Sequence, residues 1–263
     1  MNNKNLVITL IVILSIFIII LTGGLILLLT NGNQLNFKFN FKSNTKLLDK
    51  YENNYKEVSK IYLNLYSTDI EIKESKNEKI LVEYYGNKDK KVKIEYENNT
   101  IKVDEDNYDI SCIGFCNYNK KVVVYVPNNY TGEYEFKLKS GDIKSDIDLS
   151  NNKLNIEAVS GDIALSKVGS SKITTTSGDI EIIELYKNTT IKTTSGDIKM
   201  DKLDINNNSF ITTVSGDIEI DNNISNCYID TDTISGDQKI KNSNRKSDIV
   251  LKVKTVSGDI NVY

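Results

Sequence analysis

From residue 131 onward, apolar and polar positions alternate with a period of two, and a fixed corner interrupts them. The corner is Ser-Gly-Asp followed by Ile, at Ser140-Gly141-Asp142, Ser160-Gly161-Asp162, Ser177-Gly178-Asp179, Ser195-Gly196-Asp197, Ser215-Gly216-Asp217 and Ser257-Gly258-Asp259. A seventh copy, Ser235-Gly236-Asp237, carries Gln238 where the others carry Ile. In chain order the corners are 20, 17, 18, 20, 20 and 22 residues apart. Four residues before each Ser stand Phe136, Ile156, Ile173, Ile191, Ile211, Thr231 and Val253; three after stand Ile143, Ile163, Ile180, Ile198, Ile218, Gln238 and Ile260. Five after stand Ser145, Leu165, Ile182, Met200, Ile220, Ile240 and Val262, and a further apolar position follows as Val168, Leu185, Leu203 and Ile224. Intervening sites are mostly Lys, Glu, Asp or Thr. Alternation with β-branched residues on one side predicts strands whose inward face is apolar.

Hairpins in a sandwich or barrel usually vary their turn chemistry from one hairpin to the next. Identical corners and inward residues instead predict coils stacked in register, each Ile above the previous Ile: a parallel β-helix, or solenoid, with rungs of about 17–22 residues. Gly at the corner fits a backbone that needs positive φ, and Ser and Asp beside it can hydrogen-bond the turn's own amides. An eroded copy, Ser67-Thr68-Asp69-Ile70, extends the design to before residue 130.

A different pattern opens the chain. Leu6 to Thr30 is 25 residues without a charge, roughly 37 Å as a helix at 1.5 Å per residue, enough to cross a bilayer core. A cleaved signal peptide has an apolar region of only about 7–15 residues. Here Leu25 to Leu29 continue past the small residues Thr22, Gly23 and Gly24, so the expectation is an uncleaved transmembrane helix. Lys4 precedes the span while Lys38, Lys42, Lys46 and Lys50 follow it. That count would keep the large part in the cytoplasm, but long domains translocate largely regardless of charge, so charge leaves the side open.

Composition removes several functions. The chain has no His, and with it go the commonest general base, every Ser–His or Cys–His pair, and the commonest transition-metal ligand. Three cysteines are too few for a thiolate-only zinc site. Two alanines (Ala158, Ala164), one proline (Pro127) and no Trp argue against a helix-rich enzyme core. Residues 31–130 carry 16 Lys against 15 acids, a balance of +1; residues 131–263 carry 15 Lys and Arg245 against 21 acids, a balance of −5. A basic footprint is the first requirement of nucleic-acid binding, so no nucleic acid is expected as a partner.

The corner carboxylates invite a calcium reading, but calcium-binding β-rolls repeat every nine residues with several ligands per turn, and here one carboxylate serves each period. They are read as turn caps; no metal and no cofactor is expected, and no residue is assigned a catalytic role. Cys112 and Cys116 flank a three-residue loop and have two readings: a local disulfide if the domain is exported, or two free thiols. Cys227 is read as a small core filler.

The train of corners resembles a bacterial putative-adhesin family of membrane-anchored β-strand-repeat domains of unknown function. The resemblance rests on Lys60-Ile61-Tyr62-Leu63-Asn64-Leu65-Tyr66-Ser67-Thr68-Asp69-Ile70-Glu71-Ile72, on Val122 to Pro127 leading through Tyr134-Glu135-Phe136 into the first corner, and on copies such as Thr213 to Ile218. It covers about Tyr51 to Tyr263. It implies a right-handed β-helix outside the cytoplasmic membrane, without a known active site; some such proteins are associated with envelope-stress systems.

The expected organisation is a cytoplasmic tail at 1–5, a transmembrane helix at 6–30, a stalk at 31–50, an irregular part of the β-helix at 51–130 and the regular repeat at 131–263. The expected function is a non-catalytic cell-membrane protein, single-pass with its C-terminal domain extracytoplasmic, acting by protein contact. The alternatives are a polysaccharide-binding module, for which Tyr62, Tyr66, Tyr84, Tyr85, Tyr96, Tyr125, Tyr130 and Tyr134 would offer aromatic rows, and more remotely a polysaccharide-active enzyme. The rung Asp259 to Tyr263 is expected to be the open end of the stack and the site of self-association or of contact with an envelope protein.

Overall fold

Among the described residues the chain is built from β-strands and one 3-10 turn, Tyr55–Glu57. The structure is a computed structural model and describes residues 45–86, 92–106 and 120–263. The span Leu6 to Thr30, most of the stalk, and Cys112 and Cys116 lie outside the described residues. Strands run before and after each Ser-Gly-Asp corner, as Thr189–Lys192 and Ile198–Asp204 do around Ser195. Each pairs in parallel with its counterpart in the neighbouring coil. The result is an all-β solenoid with its core between two facing walls of parallel strands.

The inward residues form columns. One runs Leu63, Phe136, Ile156, Ile173, Ile191, Ile211, Val253, Thr231. The other runs Ile70, Ile143, Ile163, Ile180, Ile198, Ile218, Ile260, Gln238. Except for the last member of each, these side chains are buried. Like sits on like at roughly the 4.8 Å spacing of paired strands, so each aliphatic side chain is covered by the coils before and after it. The eroded corner belongs to the stack: Ser67 pairs with Ser140 and Ile70 with Ile143.

Stacking order departs from chain order at both ends. Strands Thr100–Glu105 and Lys121–Val126 lie against Lys60–Ser67 and Asp69–Glu74 on the side away from the regular repeat. Antiparallel strands close this end: Val92–Glu97 pairs with Thr100–Glu105, and Lys79–Gly86 lies between Lys121–Val126 and Lys46–Asn54. At the other end the C-terminal coil is not last. Strand Val250–Lys254 lies between Ser209–Thr212 and Tyr228–Asp232, and Ile260–Val262 lies between Ile218–Ile220 and Gln238–Ile240. The expectation that Asp259 to Tyr263 forms the open end is therefore corrected: Ile260 and Val262 are fully buried, and coil 228–240 is the exposed one.

Side-chain chemistry accounts for this transposition. Coil 250–262 turns Leu251, Val253, Ile260 and Val262 inward, all at 0% exposure. Coil 228–240 turns Thr231 and Gln238 inward, and these two bond each other, Thr231 Oγ1 donating to Gln238 Oε1 at 2.5 Å. The reverse order would leave four aliphatic side chains covered on one face only. Ile229 and Ile240, which pair with Leu251 and Val262, would gain the face those two lose, so the net loss falls on Val253 and Ile260. At about 1.5–3 kcal/mol for full burial of each it is about 1.5–3 kcal/mol, and Thr231 and Gln238 would sit between two apolar layers. The two departures from the repeat mark the end of the stack.

Two smaller differences follow from the same packing. Ile224 points outward, and Asn223 takes the place beside Leu203, buried and bonded through Oδ1 to the Ser225 amide at 3.0 Å. Ile240, read as an inward residue, is exposed because no coil follows it.

Candidate functional site

The corners stack into one edge of the solenoid, as bridges from Ser to Ser and as a ladder of carboxylates. In every step Oδ1 of one Asp accepts the backbone N–H of the Asp in the next coil. Asp69 accepts from Asp142 at 3.0 Å, Asp142 from Asp162 at 2.9 Å, and Asp162 from Asp179 at 2.9 Å. Asp179 accepts from Asp197, Asp197 from Asp217 and Asp217 from Asp259 at 2.8 Å each, and Asp259 from Asp237 at 2.7 Å. The bond reaches the neighbouring coil, not the turn's own amide, so Asp links coils as well as shaping the corner. Burial pushes the carboxyl of Asp69 up from the ordinary aspartate value.

Glycine is required between Ser and Asp for two reasons. Gly196 has φ +141°, and a Cβ there would lie 2.2 Å from the carbonyl oxygen of Gly178 in the coil below. From inside the corner, Thr175 and Thr193 donate to the carbonyls of Ser177 and Ser195, while Thr213, Thr255 and Thr233 donate to those of Gly196, Gly216 and Gly258. All twenty-one Ser, Gly and Asp residues singled out in the sequence occupy this edge. Their chemistry is cohesion between coils; among the described residues, no group of three or more His, Cys, Asp or Glu could hold a metal ion.

The residues that no repeat pointed to are Glu105 and Lys120. In the layer beneath Ser67-Thr68-Asp69, the buried Glu105 accepts from the Tyr66 amide (2.7 Å), the Ser67 amide (3.1 Å) and Thr68 Oγ1 (3.0 Å), and pairs with Lys120 Nζ at 3.0 Å. A buried charge with this many donors is a structural anchor. Nothing in the local sequence announced it, because its partners are 15 to 39 residues away.

The tyrosines split. Tyr84, Tyr130 and Tyr134 are core residues whose hydroxyls have no hydrogen-bond partner, which corrects their place in an aromatic row. Burial pushes the Tyr84 phenol up to about 12. Tyr62 and Tyr66 share an outer face, with Lys137 Nζ 5.7 Å and Lys139 Nζ 4.3 Å from their ring centres. A groove of about 510 Å³, lined in part by Asp148, Lys167, Tyr186 and Asp204, opens on the outer surface. Beside it Glu184 accepts from the Tyr186 hydroxyl and pairs with Lys167 (3.1 Å) and Lys202 (3.3 Å), which lowers its carboxyl to about 2. Cys227 is fully buried, as a core filler should be, and burial raises its thiol.

Comparison with known families decides the affiliation. The family model Toastrack DUF4097 matches residues 58–263, from the first coil through the last. The chain belongs to the Toastrack DUF4097 family. No curated protein matches it. Among solved structures, a putative adhesin from Bacteroides fragilis is similar at 18% identity and a TM-score of 0.51, covering 82% of this chain and 97% of that one. A putative cell adhesion protein from Clostridium sporogenes (12% identity, TM-score 0.33, 81% and 98% covered) and a putative adhesin from Parabacteroides merdae (9%, 0.38, 79% and 95%) also match. At such identities the likeness with the Bacteroides fragilis protein establishes the fold, the Toastrack solenoid, and it stops there.

Proposed function

We propose that this Toastrack chain is a non-catalytic, single-pass membrane protein. Leu6 to Thr30 anchors it, and its right-handed solenoid stands outside the cytoplasmic membrane, acting by protein contact in adhesion or envelope-stress sensing. The observation that carries the non-catalytic reading is the fate of the corner acids. Each Oδ1 from Asp69 to Asp259 accepts a backbone amide of the next coil, which gives the repeated acids a structural role as links between coils and supports this reading. The adhesin name attached to proteins of the same fold supports the surface role. A polysaccharide-binding reading draws on Tyr62 and Tyr66, but lysine ammonium groups stand over both rings and a sugar would have to displace them.

The test is protease added to intact cells stripped of wall. Digestion of the C-terminal domain is expected, with a cytoplasmic control protein spared. Full protection of the domain, together with cleavage after lysis, would overturn the topology.

A further inference from the structure

The last two coils are joined in an order that a linear solenoid does not need. The chain leaves strand Ile218–Ile220, builds coil 228–240 one layer too far out, and returns to lay Val250–Lys254 and Ile260–Val262 in the gap. Strands Tyr228–Asp232 and Gln238–Ile240 pair with the inserted coil and with no other named strand. Coil 228–240 therefore has nothing to stack on in its native position until residues 250–263 are in place. The two coils take their places together.

What the slot recognises can be read from its walls. Asp217 Oδ1 accepts from the Asp259 amide on one side, and Asp259 Oδ1 from the Asp237 amide on the other. Lys252 pairs with Asp230 at 3.7 Å and Lys254 with Asp232 at 2.6 Å. These contacts lie within the strands and corners. The connection, residues 241–249, is largely exposed; it bonds residues 226–229 through Asn244 N–H to the Cys227 carbonyl, Ser247 Oγ to the Asn226 carbonyl and the Ile229 N–H to Ser243 Oγ, and at its start Lys241 N–H bonds the Val262 carbonyl of the inserted strand. Which molecule supplies the inserted segment makes no difference to the slot.

We propose that the C-terminal coil is an exchangeable element: the slot between coils 209–220 and 228–240 accepts residues 250–263 of a second copy, so that two molecules join by reciprocal exchange. The occupant is fixed by the match already made within the chain, since a second copy carries the same side chains in the same register. Closed and exchanged forms share the strand and corner contacts of the slot and differ in the path of 241–249, so protein concentration while the chain folds sets the balance. Free ends at coil 228–240 are not needed for this association. It stands apart from the topology and ligand reading above, because it concerns only how the coils close.

The Lys254–Asp232 pair gives a test with the full-length chain. One copy carries Lys254→Arg and keeps Asp232; a second, differently tagged, carries Asp232→Asn and keeps Lys254. A zero-length carbodiimide can then join residues 232 and 254 only between molecules. Co-expression in one cell is expected to yield the 232–254 crosslink at roughly tenfold or more the level found when the two copies are mixed after extraction, because exchange occurs as the slot fills during folding. Absence of the crosslink from the co-expressed pair, with the wild-type chain giving it within single molecules, would overturn the proposal. A wild-type chain that gave no such crosslink would overturn the slot geometry itself.

Discussion

Ile260 and Ile240 separate the observed stacking order from the chain order. Ile260 is fully buried, with Ile218 on one side and Gln238 on the other, whereas Ile240 is 36% exposed on the end coil. Ile260→Ala removes three carbons, about 2.4 kcal/mol at 0.8 kcal/mol for each buried CH₂. The cavity is walled by strands paired on both sides and cannot collapse freely, so the total is about 3–4 kcal/mol. Ile240→Ala removes the same atoms from a partly wet site open on one face, leaves no cavity, and costs about 1 kcal/mol. Solenoids open from their ends, so the readout is native-state hydrogen exchange of amides in coils 209–220 and 250–262, which reports the local opening free energy. Ile260→Ala is expected to speed exchange there by roughly 100-fold or more, and Ile240→Ala by about 5-fold, since 1.4 kcal/mol is a factor of ten. Equal effects, or a larger effect at Ile240, would mean that the coils stack in chain order and that the argument from side-chain polarity fails.

Three further outcomes follow from the geometry. Gly196→Ala sets a methyl 2.2 Å from the Gly178 carbonyl at φ +141°; with about 1–3 kcal/mol of backbone strain and the loosening of inter-coil bonds worth about 1 kcal/mol each, a loss of about 3–5 kcal/mol in thermal or urea unfolding is expected, and a loss under 1 kcal/mol would refute the stacking. Lys120→Met strands the buried Glu105 carboxylate without its ammonium partner and should cost about 3–5 kcal/mol, largely recovered by adding Glu105→Gln; no recovery in the double variant would show that the charge is not what matters. Glu184 has a folded-state pKa lowered to about 2 from 4.5, chiefly by the Tyr186 hydroxyl and then by Lys167. A lowered carboxylate pKa stabilises the fold above the unfolded value and loses that contribution as pH falls from about 4.5 toward 2. The melting-temperature gap between wild type and Glu184→Gln should accordingly shrink over that window and with added salt; a gap constant from pH 7 to 3 would refute the assignment.

The corner ladder was legible in the sequence because each of its elements is local and repeated. Gly between Ser and Asp, Ile three positions after Ser, and alternation on either side are short-range requirements, and stacking seven of them multiplies the signal. Even the eroded Ser67-Thr68-Asp69-Ile70 copy could be placed, and it carries the first acceptor of the carboxylate ladder. The Glu105–Lys120 anchor was not legible, since both residues lie outside any repeat and become a site only when Thr100–Glu105 is laid beneath Lys60–Ser67. The eight tyrosines looked alike in the sequence, and only packing sent Tyr84, Tyr130 and Tyr134 inward while Tyr62 and Tyr66 faced out under lysines.

By itself the sequence determined the coil: its length, its glycine corner, the side chains it turns inward and the family it belongs to. Those follow from backbone sterics and the period-two alternation of strands, which operate over a few residues. Tertiary structure alone decided the order in which coils lie against one another. A coil with the right corner fits above any other in register, so local chemistry leaves neighbours interchangeable. The choice falls to the burial difference between Val253 and Ile260 on one coil and Thr231 and Gln238 at the matching positions of the other. That difference has a value only once both coils are in the stack and one of them has to be the end.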